Sequence, residues 1–255
     1  MDFTIEKYRN ILEALKSQDY VFQTFREFIE NKNAQKVIIL RHDIERTQQN
    51  ALKMAGLECE MGIQATYFFR SRRHRFKEEI IKKIESSGHE IGYHYENLSD
   101  SSGDFEKAIL SFSKTLENFR KIANVKSICM HGSPLSKYNN QDLWRNYNFK
   151  DFGIIGEPYL SIDYNKVAYF TDAGRKWNNE KVNFRDKVHS SMHFKINNSD
   201  DMIKLINSKD APSSIMINIH PHNWAFSSFE WNKIYFWQGL KNTIKIIIRS
   251  IDKRN

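Results

Sequence analysis

Residues Lys36–Glu45 read KVIILRHDIE. Val37, Ile38, Ile39 and Leu40 make a short apolar run rich in β-branched residues, which suits a strand covered on both faces, as in a parallel sheet. The run stops abruptly at Arg41, His42, Asp43 and Glu45. A guanidinium, an imidazole and two carboxylates are costly at the end of a buried strand unless something there uses them. In parallel α/β folds that end is where sites are assembled.

The rest of the chain repeats the pattern. Residues 1–31 carry apolar positions at helical spacing and predict two helices, or one broken helix, as an N-terminal helical extension. After the first strand, a helix capped by Thr47 runs to about Met61 and stops at Gly62. A strand is expected at Gln64–Arg70, a helix at Phe76–Ser87, and a third strand at His89–Tyr95. A long amphipathic helix follows over 104–122, then a strand at Ser127–His131. Further strands are expected at Phe152–Ile155, Val167–Phe170 and Ser214–His220, a short helix at Asp200–Ser208, and a closing helix over 230–251. No repeat or Pro/Gly-rich linker divides the 255 residues, so one domain is expected. Alternating strands and helices predict an α/β fold with a parallel sheet, a distorted or incomplete (β/α) barrel.

The formal net charge is +8, from 39 basic and 31 acidic residues. The basic residues are scattered, and the densest groups are short: Arg70, Arg72, Arg73 and Arg75, and the tail Lys253 and Arg254. No nucleic-acid motif accompanies them, so a solvated surface is expected rather than a DNA or RNA partner. Cys59 and Cys129 are far apart in apolar contexts and read as small core residues, not a disulfide or a zinc pair. The start MDFTIEKYRN lacks the basic and apolar regions of a signal peptide, and Ile244–Ile248 is too short to span a bilayer. A soluble, cytoplasmic protein of open oligomeric state is the expectation.

Several strands end in the same chemistry: Arg41, His42, Asp43 and Glu45; His94 and Glu96; His131; Asp172; His220 and His222. Imidazoles and carboxylates are the ligand types of zinc and other divalent transition metals. Residues two apart on a strand share a face, so Asp43 with Glu45 and His94 with Glu96 can point together. Taken alone, His94 reads as a hydrogen-bonded structural histidine, and a helix cap is the minority alternative for Asp43. Their co-occurrence at several strand ends favours a site. His74, His189 and His193 sit among surface-type residues, and His89 starts its strand and is expected to be structural. Trp177 and Trp224 stand near two strand ends, where an aromatic face suits either a sugar ring or the core.

In order along the chain, ILRHDIE, GIQATYFF, SSGHEIGYHYE, YFTDAGRKW and INIHPHNW resemble motifs of the NodB-homology polysaccharide deacetylases, carbohydrate esterases that remove acetyl groups from glycans. The resemblance spans Val37 to Trp224 and points to a divergent branch associated with surface-polysaccharide synthesis. Three departures stand out. The adjacent acid pair is here Asp43-Ile44-Glu45. The second metal histidine of the family falls on Leu98. CMHGSP, with His131, stands where the family has an Arg-Pro type motif.

The resemblance implies catalytic roles for Asp43 (base or ligand), His220 (general acid) and Asp172 (which orients His220). It implies a divalent metal, zinc, on Glu45, His94 and His131, with Glu96 an alternative ligand or the metal lost. Arg41, Trp177 and Trp224 are expected to bind substrate, a carbohydrate. The function expected is a metal-dependent hydrolase that deacetylates an N-acetylated sugar or glycan. An amidohydrolase acting on a non-sugar C–N bond and an inactive glycan-binding protein are the alternatives.

Overall fold

The computed structural model describes residues 1–30, 35–71, 77–134, 136–178 and 185–252. Arg72, Arg73, His74, Arg75, Phe76, Lys253 and Arg254 lie outside the described residues.

Seven strands form one sheet: β1 (Val21–Gln23), β2 (Val37–Ile44), β3 (Thr66–Arg70), β4 (Glu90–Tyr95), β5 (Ile128–Met130), β6 (Ala168–Thr171) and β7 (Ser214–Ile219). The order is β5-β4-β3-β2-β7-β6, and every pair is parallel. β7 runs along Val37–His42 of β2, so β1 and β3 share its other edge, at Val37–Ile39 and Arg41–Ile44 respectively. Among the described residues β5 and β6 do not pair, so the barrel is incomplete. A single bridge, Ser127 to Gly156, lines the gap on the β5 side.

Parallel neighbours need long crossovers. Four of these carry the helices α3 (Gln48–Glu60), α4 (Glu78–Ser86), α6 (Phe105–Arg120) and α8 (Ser199–Ile206), and the short helices α5 (Asn97–Asp100) and α7 (Pro158–Ser161) lie in the connections. The expected helix boundaries hold to within a few residues. Thr47 precedes α3 without a side-chain cap bond, and Gly62 ends that turn at φ +70°. The first 31 residues are not purely helical: β1 separates α1 (Ile5–Ser17) from α2 (Phe25–Glu30) and joins the sheet. Phe152–Ile155 is not a strand; a 3-10 turn, Phe149–Phe152, occupies part of it. The chain closes with α9 (Ser228–Asp252), and no described helix is long and apolar enough to cross a membrane.

The two faces of the sheet bury different sets. Outward residues such as Ile38, Leu40, Tyr67, Phe69, Tyr93 and Ile217 pack with the helices. Inward residues Val37, Ile39, Phe68, Cys129 and Met216 fill the barrel interior with Phe25. Gly92 belongs to this inner layer, because a Cβ there would lie 2.3 Å from the Phe68 ring. Cys129 is buried, whereas Cys59 is exposed on α3 and is not a core residue. The apolar plug fills the N-terminal part of the barrel, which leaves the polar strand ends to line a cleft at its mouth.

Candidate active site

The cleft has a volume of about 640 Å³ and is lined by Asp43, Glu45, His94, Glu96, His131 and His220, among others. Pleating explains the selection. Arg41 and Asp43 are two apart on β2 and face inward, and Glu45 follows just past the strand end. His42 has the opposite parity and points to the helix layer. There its Nε2 lies 2.8 Å from Glu58 Oε1, and its ring stacks on Tyr67 at 4.2 Å. Tyr8 and Tyr67 donate hydroxyl bonds to the same buried carboxylate, so His42 is structural. His89 is structural as well, with Nδ1 accepting from the Ala65 amide and Nε2 donating to Ala55 O.

Glu45, His94 and His131 each present one ligand atom, all within 4.8 Å of one another. They come from the ends of β2, β4 and β5. A carbonyl can only accept, so His94 Nδ1 carries the hydrogen it shares with Cys129 O at 3.0 Å. Its Nε2 is then the lone-pair nitrogen, 3.9 Å from Asp43 Oδ2. His131 lies between two carboxylates: Nδ1 is 3.1 Å from Glu96 Oε2 and 3.3 Å from the Ser133 amide nitrogen, and Nε2 is 3.2 Å from Glu45 Oε1. Glu96 is in turn gripped by the Arg70 guanidinium through both oxygens. One carboxylate and two imidazoles are a donor set that fits a divalent transition metal, and Glu96 sits behind His131 as an orienting group. A second cluster, Asp43, His94 and Cys129, fits less well. Burial pushes the Cys129 thiol well up, and Asp43 is committed elsewhere.

That commitment is to Arg41. Arg41 Nε and Nη2 donate to the two oxygens of Asp43 at 2.9 and 2.6 Å, inside the protein. Burial opposes ionisation of Asp43, but Arg41 and then His94 outweigh it and hold the carboxyl well below its ordinary range. Asn218 Nδ2 adds a third bond to Asp43 Oδ2 at 3.1 Å. The same amide reaches Asp186 at 3.2 Å, and Asp186 also accepts from the hydroxyls of Tyr159, Tyr169 and Thr171.

On the other side of the cleft, His220 follows β7 and Asp172 follows β6. His220 Nδ1 donates to Asp172 Oδ1 at 2.6 Å, and the His220 amide also donates to that carboxylate. Burial disfavours the imidazolium, but Asp172 outweighs it and raises His220 to about 10. The neighbouring His222 is driven down to about 3 by burial. Burial takes His94 down to about 4, which keeps it neutral. Burial also opposes charge on His131, but its bonds to Glu45 and Glu96 raise it.

Three expected substrate contacts are placed elsewhere. Trp224 is fully buried, and its Nε1–H donates to Asp172 Oδ2 at 2.7 Å. It therefore orients Asp172 from within the core and offers no face to a sugar. Trp177 is buried against Phe3 and donates to Ser199 Oγ at 3.2 Å. Arg41 has no exposed surface and meets the cleft through Asp43 and Tyr159, to both of which it donates. Among the aromatic residues between Trp144 and Tyr169, Tyr159 lines the cleft, whereas Trp144 packs on Tyr95 and Phe112. Sequence reasoning did not find Asn218, Asp186 or Glu96 as the support of His131. For Glu96 the signal was present, in its shared parity with His94.

No protein-family model matches this chain, and no curated protein does. Solved structures similar to it include family 4 carbohydrate esterases and a CE4 family pseudoenzyme from Bacillus anthracis. A Streptococcus mutans CE4 esterase is 15% identical, with 90% of this chain and 86% of that chain covered and a TM-score of 0.47. A family 4 carbohydrate esterase from Bacillus anthracis is 14% identical over 94% and 86%, with a TM-score of 0.44. Bacillus subtilis PdaA, of the same esterase family, is 15% identical over 91% and 83%, with a TM-score of 0.45. At these identities the likeness is one of fold.

Proposed function

We propose that this protein is a metal-dependent deacetylase that cleaves the amide bond of an N-acetylated sugar or glycan. One observation carries the reading: a carboxylate and two oriented imidazoles converge at one point of a cleft, with an ionised aspartate on one side and a histidine–aspartate pair on the other.

Glu45, His94 and His131 would hold the metal, zinc by donor type. When bound, it supplies polarisation of the acyl carbonyl and acidification of a water. Asp43 takes the proton of the attacking water. Arg41 and Asn218 keep its carboxylate ionised and fixed in orientation. The imidazolium of His220, held by Asp172, gives its proton to the departing nitrogen as the C–N bond breaks. Acetate and a free amine leave. The cleft is large enough for a few sugar rings, and a carbohydrate is the substrate class this reading takes.

The test is acetate release from N-acetylglucosamine oligomers by the untreated protein, the chelated protein, the chelated protein resupplied with zinc, and Asp43→Asn. Release that stops on chelation, returns with zinc and is lost in Asp43→Asn supports the reading. Oligomer binding without release under any condition contradicts it and favours a glycan-binding protein.

A further inference from the structure

The closing helix α9 leaves an aromatic stripe exposed. At about 100° per residue, Phe229, Phe236 and Leu240 fall within about 40° of one another, with Trp237 beside them. All four side chains are exposed, Phe229 to 79% and Phe236 to 73%. The opposite side of the helix, about 180° away, carries Gln238 and Asn242, and both are buried. Asn242 donates to Gly174 O at 2.9 Å and Gln238 donates to Asn242, while Trp231 on the same side donates to Asp2 O at 2.6 Å, so a mixed polar and aromatic side docks on the barrel. An amphipathic helix ordinarily turns its apolar stripe inward. No described residue of this chain covers the aromatic stripe, which therefore faces another medium.

The composition of the stripe distinguishes what that medium is. Lys233 lies inside it, within about 40° of Phe229, and is exposed. In a protein interface that ammonium is buried at a cost; at a lipid surface it reaches the headgroups while its stem stays among the aromatics. Trp, Phe and Leu on one face, with lysines at hand, make up the pattern of helices that lie in the headgroup plane. Within 228–252 the basic residues Lys233, Lys241, Lys245 and Arg249 outnumber Glu230 and Asp252, and the whole chain carries +8. Charge of that sign complements an anionic bilayer. Glu230 accepts from the Phe226 amide as a cap, which ties up the one acid near the stripe.

We propose that α9 lies on anionic lipid bilayers through Phe229, Phe236, Trp237 and Leu240, with Lys233 at the headgroups. Gln238 and Lys241 line the catalytic cleft, so the docked protein holds that cleft close to the lipid surface. The inference is independent of the reaction proposed above.

The experiment is co-sedimentation of the full-length protein with phosphatidylglycerol-containing vesicles and with pure phosphatidylcholine vesicles. It includes the triple variant Phe236→Ser, Trp237→Ser, Leu240→Ser and the single variant Lys233→Glu, with light scattering of each protein in solution. The expectation is a monomer that partitions at least about tenfold more strongly onto anionic than onto neutral vesicles, with that preference reduced about fivefold in Lys233→Glu and binding lost in the triple variant. Failure of the monomer to sediment with anionic vesicles overturns the proposal. So does a wild-type dimer that the triple variant dissociates, because a second copy then covers the face.

Discussion

The indole of Trp224 donates to Asp172 Oδ2 over 2.7 Å, and the other oxygen of that carboxylate holds His220 Nδ1 at 2.6 Å. The core and the cleft thus meet at one carboxylate. An aromatic residue that never sees solvent sets the direction in which a cleft histidine can move a proton. Trp224→Phe keeps the packing against Phe3 and Tyr8 and removes only this bond. It is expected to cost about 1–2 kcal/mol of stability and to lower kcat more than it raises KM. Chemical denaturation and steady-state kinetics check the two parts.

The same pair makes stability depend on pH. In metal-free protein the folded state holds His220 protonated up to about 10, against an ordinary value of 6.5. A raised pKa contributes stability that is complete below the unfolded value and is lost as pH rises through the folded one. Between pH 7 and 10 the chelated protein is expected to lose up to about 1.4 kcal/mol per pH unit from this group. His222, held neutral by burial down to about 3, does not titrate in that window. Asp172→Asn is expected to flatten the slope, and urea midpoints measured across the range check it.

Arg41 and Asp43 are a buried ion pair with two hydrogen bonds between them. Arg41→Met leaves the Asp43 carboxylate buried and uncompensated, with a loss of about 3–5 kcal/mol. The double variant Arg41→Met, Asp43→Asn is expected to recover much of that loss, because the orphan charge is gone. A double-mutant cycle on unfolding free energies measures the difference.

Glu96 stands behind His131, with Oε2 3.1 Å from its Nδ1. Glu96→Gln preserves shape but weakens that orientation. Zinc affinity is expected to fall about 10–100-fold, with the far-ultraviolet circular dichroism unchanged. Competition with a chromophoric chelator gives the number.

Much of this site was legible from Asp43, Glu45, His94, His131, Asp172 and His220, because each follows an apolar strand run and a strand end in a parallel fold faces the mouth. In the sequence His42 groups with the mouth residues, although its place between Arg41 and Asp43 turns it the other way, toward Glu58. Trp177 and Trp224 were not legible, because nearness to a strand end does not say which way an indole turns. Asn218 is a neutral residue within a strand, and Asp186 lies outside any motif, so neither carries a signal until the fold brings it to Asp43. The strand β1 is three residues long and its register depends on β2, which no local pattern can supply. The exposed stripe of α9 has ordinary amphipathic spacing; only the packing of Gln238 and Asn242 reveals which side faces out.

The measurement that tests the account most directly is the metal content of the purified protein by elemental mass spectrometry, alongside His94→Ala and His131→Ala. The account predicts close to one divalent metal per wild-type chain after zinc loading and dialysis, and loss of it in both variants. Wild-type protein that retains none, or variants that retain as much as wild type, would contradict the assignment of Glu45, His94 and His131 as the metal-holding set.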